Sequence, residues 1–538
     1  MESVSLGSHR LIHLDLKGAP PKLTYLEQLF PLLREWGATG LLLEWEDTFP
    51  YSRELLAVGS GGPQPAAGAY SGAEARQLLQ LAGDHGLAVV PLVQTFGHLE
   101  FVLKHEEWRP LREVEAYPSS MCPSHPRALP LVTSLIKQIV DFHPDIQYLH
   151  IGADEVWHMG LCRTCARRVQ ASKHGRCQLF LEHLVAVAQF IRDTYPSLRI
   201  IMWDDMLRPI DTSVLLEYNL GRYVEPMVWH YQTAESFQLL PALWDKYSDV
   251  FASVWAATAF KGATGSCQVL PVVQHHVSNH EQWLLVLGRE AGKFRHFRGV
   301  ALTGWSRRQE IRPSLRPRGF MCSRRYDHYA TMCELLPTAI PSLLLCLKVW
   351  LNGSFSPSVH VAAAKTLGYA DAPLLLNPYP RPQPVAQQLS FPGWKVMAGV
   401  EWFANFRVKF SSIVESDQVE TWLNPWQIQN GFTNPMQIES IIPAFTDLTL
   451  ELTALEDYLR AGMEDVLYPA AVEEWLGTRL EPLKVAGSCW TDSVLYPTLL
   501  SRDHLVTVGS AHVLLPLVTL YPSADIIFQI LIWKVNML

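Results

Sequence analysis

The 538-residue chain carries little charge. Lys, Arg, Asp and Glu make up 18% of it, and the balance is acidic at −8. Phosphate binding needs clustered Lys and Arg, so this composition excludes nucleic acid as the main partner. Long apolar runs are also scarce. The most apolar stretch is the end, "SADIIFQILIWKVNML"; from Ile526 it is too short to span a bilayer comfortably, so no stable membrane anchor is expected. The nine cysteines are odd in number and irregularly spaced, which excludes a disulfide framework. The opening "MESVSLGSHRLIHLDLKG" has no basic segment followed by an apolar one, so no signal peptide is expected and the chain reads as cytoplasmic or nuclear. No Gly-rich loop follows the first strand-like run, which argues against an open dinucleotide-binding sheet, and no cofactor is expected.

What is present is apolar and aromatic. Hydrophobic residues reach 48%, and 18 tryptophans offer flat faces of the kind that line ligand clefts. The length suits one large domain with an appendage. Through the first 350 residues, apolar runs of strand length alternate with helical patterns. The runs are "RLIHLDL" (10–16), "GLLLEWE" (40–46), "LAVVPLVQTF" (87–96), "YLHIGADE" (148–155), "RIIMWDD" (199–205), "EPMVWHY" (225–231), "DVFASVWAAT" (249–258) and "GVALTGW" (299–305). Eight such units predict an α/β fold, a (β/α)8 TIM barrel, whose active site sits where the strands end. Those ends carry Asp15, Glu44, Glu46, His98, Asp154, Glu155, Trp203, Asp204, Trp229, His230, Trp255 and Trp305. Polar and aromatic groups at one end of every strand point to a shared pocket.

Beyond residue 350 the alternation stops. Residues 351–396 read as a Pro-rich linker, 397–483 as a mostly helical C-terminal region, and 484–538 as an atypical apolar tail that is poorly ordered.

The pair Asp154-Glu155 in "YLHIGADEVWHMG" is the chemical feature that stands out. A carboxyl beside aromatic rings and a second carboxylate keeps its proton more readily and can act as a general acid, while its partner stays ionised and stabilises positive charge. Glycoside hydrolysis asks for that division, because its transition state is cationic and its leaving oxygen needs a proton. Trp faces fit the C–H-rich sides of sugar rings.

The motifs "LIHLDLKG", "LEWEDTFPY", "QTFGHLEF", "HIGADEVW", "MWDDM", "VWHY", "VWAATAFKG" and "TGWSR" together resemble those of family 20 glycoside hydrolases, the β-N-acetylhexosaminidases. The resemblance spans roughly residues 8 to 480. It implies an exo-acting enzyme that removes terminal N-acetyl-D-galactosamine or N-acetyl-D-glucosamine from β-linked glycoconjugates or oligosaccharides. It further implies substrate-assisted retaining catalysis, with the 2-acetamido oxygen of the substrate as nucleophile. On this reading Glu155 is the acid and then the base, and Asp154 orients the acetamido group. His98 supports the acid. Trp203, Trp229, Trp255 and Trp305 wall the acetamido pocket or form a platform for the sugar, and Asp15 stands near the sugar-binding edge. A homodimer is compatible with this reading.

The chain also departs from the family. Three residues beyond Asp15, better-known members carry an arginine where this chain has Gly18, with Lys17 adjacent. Their Trp-x-Glu is replaced by Trp305-Ser306-Arg307. An Arg- and Pro-rich segment, 308–325, looks inserted before "YDHY" and is expected to displace Tyr326 and Asp327 and weaken activity, the alternative being a sugar-binding pseudoenzyme. Metal chemistry has thin support. Cys162 and Cys165 form a single C-x-x-C, with His158, His174 and Cys177 nearby, but a strong zinc signature needs two such pairs, so no metal ligand is assigned. At the first strand, "HLD" supplies His13 and Asp15 where a metal-dependent barrel hydrolase has His-x-His.

Overall fold

Ten strands form, in chain order: β1 (His9–Asp15), β2 (Gly40–Glu44), β3 (Ala88–Leu92), β4 (Arg112–Val114), β5 (Tyr117–Met121), β6 (Tyr148–His150), β7 (Arg199–Trp203), β8 (Val224–Trp229), β9 (Ser253–Lys261) and β10 (His296–Gly304). They come from a computed structural model that describes residues 7–59, 69–265, 268–306, 334–369, 389–430, 432 and 434–490. Eight of them close into a parallel barrel in the order β1-β10-β9-β8-β7-β6-β3-β2, and β4 and β5 form a separate antiparallel hairpin. The barrel is the one the sequence predicts, and each strand-like run supplies a barrel strand. The near-continuous apolar character of β2 follows from burial on both faces, one toward the barrel interior and one toward the helical ring. The ring includes Leu23–Glu35, Gly72–Asp84, Ala128–Phe142, Gly175–Thr194 and Val273–Glu290. Helix Gly72–Asp84 begins at a capping box, in which Ser71 accepts from the Glu74 N–H and Glu74 reaches back to the Ser71 N–H.

The barrel interior is filled by side chains, among them Leu11, Leu42, Val90, Leu92, Ile201, Trp203, Met227, Trp255, Ala257 and Ala301. This is a packed core and not a pore. The hairpin β4–β5 interrupts the β3-to-helix connection. Its backbone is tied to the loop after β3, since Leu99 N–H donates to Ser119 O at 3.1 Å and Met121 N–H to Phe96 O at 3.3 Å.

The chain divides into two compact units. Among the described residues, the first comprises those within 7–369, 389–397 and 464–471, and the second those within 398–463 and 472–490. In the second unit, Phe403, Phe406 and Phe410 form one buried helical stripe, and Leu448, Leu452, Leu455 and Leu459 form another. Phe403 meets Trp475 with ring centroids 5.3 Å apart. No helix among the described residues is long and apolar enough to cross a membrane. Segment 308–325 with Tyr326 and Asp327, the Pro-rich stretch 370–388 and the tail from 491 lie outside the described residues.

Candidate active site

The end of β6 is the most strained part of the barrel. Gly152, Ala153 and Glu155 all have positive φ, at 61°, 65° and 46°. For Ala153 and Glu155 that conformation costs on the order of 1–3 kcal/mol each, and such outliers cluster at functional sites. Gly152 is required by space as well as by φ, because a Cβ there would lie 2.0 Å from Gln94 Oε1. From the neighbouring strand end, Gly97 approaches so closely that a Cβ would sit 2.1 Å from Asp154 O. The next residue, His98, also has positive φ, at 49°. Two tight turns thus press against each other and aim three side chains at one point.

The result is a contact among His98, Asp154 and Glu155. The imidazole Nε2 of His98 is 3.4 Å from Asp154 Oδ2 and 3.4 Å from Glu155 Oε2. Burial opposes the charged imidazole, but Asp154 and then Glu155 and Glu100 outweigh it, so the His98 pKa rises well above 6.5. Asp154 is buried, and its Oδ1 has no hydrogen-bond partner among the described residues. Buried acceptors are nearly always satisfied, so a free carboxylate oxygen at a barrel mouth suits a ligand N–H or O–H.

Asp205 props the acid pair from behind. It accepts from the Glu155 N–H at 2.9 Å and from Trp229 Nε1 at 3.3 Å. Burial first, then the Asp154 charge, pushes its carboxyl up to about 7 against those two bonds. Asp204 faces elsewhere, held in two bonds by the Arg208 guanidinium at 2.7 Å. The sequence reading passed over Asp205, although a second acid directly after a buried strand is the same signal that singled out Asp154-Glu155.

Aromatic rings line the same mouth. Trp203 ends β7, packs on His150 at 4.3 Å and on Trp305 at 5.9 Å, and keeps a buried Nε1 with no partner among the described residues. Trp229 stacks on Tyr231 at 5.3 Å, and Tyr231 meets Trp305 edge-on at 6.5 Å. Burial chiefly raises the Tyr231 phenol, with Thr303 and Trp305 working against the rise and the charges of Asp154 and Glu155 adding to it. Tyr231 too escaped the sequence reading; its place two residues after Trp229 puts it on the same face of an extended chain.

One expected residue, Trp255, is placed differently, and a second, Asp15, is placed as expected but engaged within the protein. Trp255 is third in β9, because that strand runs to Lys261 and not to 258. Its ring meets His9 at 5.1 Å and Tyr148 at 5.2 Å, both at strand starts, and its Nε1 donates to Glu225 at 2.8 Å. Trp255 plugs the base of the barrel, opposite the acid pair. Asp15 does stand at the mouth, but its carboxylate is engaged internally. It accepts from Ser306 N–H at 2.8 Å and Lys17 N–H at 3.3 Å, and Lys17 Nζ is 3.7 Å away. Asp15 joins the end of β10 to β1. Burial raises its pKa despite Lys17, with Glu44 adding to the rise.

Lys17, adjacent to the position where the family arginine is missing, is buried among acids. Its Nζ lies 3.1 Å from Glu46 and 3.4 Å from Glu44, and 5.7 Å from the Trp305 ring centroid. Burial works against the ammonium, but Asp15, Glu44 and Glu46 hold its pKa well above 10.5. Glu44 in turn meets His13 Nε2 at 3.0 Å. Burial alone would raise Glu44, and Lys17 with His13 reverses that and keeps it ionised. His13 and Asp15 thus sit in an ion-pair network that already contains its own cation. Among the described residues, the group whose ligand atoms come close enough to hold a metal is another one: Glu113, Cys122, Cys162 and Cys165.

Comparison of the sequence with known proteins identifies a family. Residues 28–242 match the glycosyl hydrolase family 20 catalytic domain. The chain is 38% identical over 477 residues to hexosaminidase D of Homo sapiens, covering 88% of this chain and 91% of that one. It is 42% identical over 360 residues to hexosaminidase D of Bos taurus, covering 67% and 96% respectively. Among solved structures, the β-N-acetylhexosaminidase from Bacteroides fragilis is 15% identical, with a TM-score of 0.42 over 56% of this chain and 61% of that one.

Proposed function

The chain belongs to glycosyl hydrolase family 20, and from that premise we propose that it is a β-N-acetylhexosaminidase, removing terminal N-acetyl-D-glucosamine or N-acetyl-D-galactosamine from β-linked glycoconjugates with retention. The observation that carries the assignment of roles is the His98–Asp154–Glu155 contact, with Asp154 Oδ1 left without a partner among the described residues. Its Oδ1 accepts the acetamido N–H of the substrate. That bond turns the acetamido oxygen toward the anomeric carbon and offsets the positive charge that grows on nitrogen. Glu155, at the more open edge of the pair, gives its proton to the leaving glycosidic oxygen. The C–O bond to the leaving group breaks as the acetamido oxygen forms its bond to carbon, giving an oxazolinium ion. Water then attacks the same carbon, its proton passes to the Glu155 carboxylate, and the ring reopens with the original configuration. His98 offsets the Asp154 carboxylate in the resting site, while Glu155 beside it carries the proton it donates. Asp205 is a positioning residue for the Glu155 backbone and the Trp229 ring. Trp203, Trp229, Tyr231 and Trp305 supply the aromatic wall.

Lys17 beside Trp305, with Glu44 and Glu46 around it, is the polar cluster that reads the outer hydroxyls in place of the missing arginine. None of the described cysteines is in a disulfide, which supports a reducing compartment, the cytosol or nucleus.

The test is selectivity for the neighbouring group. Aryl N-acetyl-β-glucosaminide and galactosaminide should be hydrolysed, while aryl β-glucoside, with a 2-hydroxyl in place of the acetamido group, stays intact. A thiazoline that copies the closed ring should inhibit competitively. Equal turnover of the acetamido and hydroxyl substrates, or turnover of neither, sinks the proposal.

A further inference from the structure

We propose that Cys122, Cys162, Cys165 and Glu113 form a structural zinc site that locks the two loops of the acid pair together. The three sulfurs and one carboxylate oxygen all lie within 4.8 Å of one another. Cys122 Sγ is 3.5 Å from Cys162 Sγ and 3.5 Å from Cys165 Sγ. A tetrahedral zinc with bonds of about 2.3 Å to sulfur needs ligand atoms about 3.8 Å apart, so small shifts bring this set onto an ion. Three thiolates with one carboxylate is a soft donor set that favours zinc over magnesium or calcium.

The surroundings are built as a metal site is built. Glu113 is only 3% exposed. Its Oε1 accepts the N–H groups of Leu161 at 2.6 Å and Cys162 at 2.9 Å, which fixes the carboxylate plane. Its buried Oε2 has no partner among the described residues. Cys162 Sγ accepts the N–H of Cys165 at 3.3 Å at the start of helix Arg163–Ala171, a bond that supports negative charge on sulfur. Arg168 donates to Ser124 Oγ at 2.7 Å, which leaves the Ser124 hydroxyl proton for Cys165 Sγ at 3.0 Å. The nearby histidines lie outside this group. His158 stacks on Tyr117 at 4.4 Å, and His174 bonds Glu217 at 3.0 Å.

The ligands come from two places. Glu113 and Cys122 belong to the β4–β5 hairpin and its exit, which is hydrogen-bonded to the loop of His98. Cys162 and Cys165 follow Glu155 on the loop after β6. A zinc ion here crosslinks the His98 loop to the Glu155 loop. Each thiol releases its proton to solvent as its sulfur binds, and no redox step is involved.

The experiment is metal analysis of the full chain, purified under reducing conditions without a metal-affinity step and then dialysed against zinc and against buffer. One zinc per chain is expected. Cobalt in its place should give intense near-ultraviolet thiolate-to-cobalt absorption with the visible bands of a tetrahedral ion. Cys122→Ser and Cys165→Ser should each lower zinc content at least tenfold. Glu113→Gln keeps every thiol, so it reports on the site even where a cysteine variant fails to fold, and it should weaken zinc affinity at least tenfold. Chelation should speed amide exchange in 96–122 and 155–165 together. Less than a tenth of an equivalent of metal after zinc dialysis overturns the proposal. So does full metal content in Cys122→Ser, or a disulfide between any two of these cysteines in the purified protein.

Discussion

The base and the mouth of this barrel are furnished with the same kinds of residue and differ in how completely those residues are satisfied. At the base, Glu225 accepts from Arg199 Nε at 2.8 Å, Trp255 Nε1 at 2.8 Å and Arg298 at 3.3 Å, and Trp255 is wedged between His9 and Tyr148. Both Glu225 carboxylate oxygens and Trp255 Nε1 have partners within the protein, and Arg298 Nε is the one buried polar atom of that set without one among the described residues. At the mouth, Asp154 Oδ1 and Trp203 Nε1 are buried with no partner among the described residues, and Gly152, Ala153 and Glu155 hold positive φ. A tryptophan with a carboxylate is therefore no signature of a site. What separates the two ends is a buried carboxylate oxygen left over and backbone strain retained, both of which cost stability and persist where a ligand makes use of them.

The comparison breaks most clearly at Glu155. Glu155→Gln should lower kcat/KM on an aryl N-acetyl-β-hexosaminide at least about a hundredfold, the scale of losing a general acid, with little change in melting temperature. Equal rates in the two proteins would remove Glu155 from the chemistry. Asp205→Asn should cost about tenfold in kcat, less than the roughly hundredfold that a misplacement of about 1 Å brings, because the shape is kept. It should also erase the limb near pH 7 that the Asp205 carboxyl contributes to the wild-type profile. A limb that survives in the variant belongs to another group.

His98→Gln tests the charge at the mouth through stability. The folded-state pKa of His98 lies above its ordinary 6.5, so its contribution is fully present below pH 6.5 and is lost as pH rises through the folded value. The melting-temperature gap between wild type and variant should be widest at and below pH 6.5 and close on the alkaline side; a gap that is flat with pH would mean that His98 is held neutral. Trp255→Phe should have the smallest effect on turnover, within about twofold, while costing roughly 1–3 kcal/mol in urea unfolding through the lost Glu225 bond. A large rise in KM with unchanged stability would return Trp255 to the substrate side.

The barrel was legible because its strands are buried on both faces and announce themselves as apolar runs between helical patterns. "GLLLE" is buried at every position. Height within the barrel was not legible. Trp203, Met227 and Trp255 are register partners across β7, β8 and β9, yet the strands tilt, so residues in register do not stand at equal depth. Reading β9 as ending at 258 added to the error and moved Trp255 to the wrong end. The acid pair was legible because it ends a strand. Asp205 and Tyr231 were present in "MWDDM" and "VWHY", but what they do is set by contacts to Glu155 and Trp305 that no spacing encodes. The thiol cluster was half legible. Cys162 and Cys165 show a spacing, whereas Cys122 and Glu113 arrive from a hairpin 40 or more positions away in sequence.

The bond from the Ser306 N–H to Asp15 joins residues 291 positions apart and sets a timetable for biosynthesis. A ribosome adding roughly 5–20 residues per second needs about 15–60 seconds to deliver Ser306. The acid pair is made near the midpoint of that interval, and it waits in an open half-barrel with unpaired strand edges on both sides. A nascent chain halted before β10 carries every residue of the His98–Asp154–Glu155 contact and has no closed mouth to hold them. Delivery of the last strand is thus the moment at which the chain becomes competent, and the interval before it is when the chain most needs a chaperone.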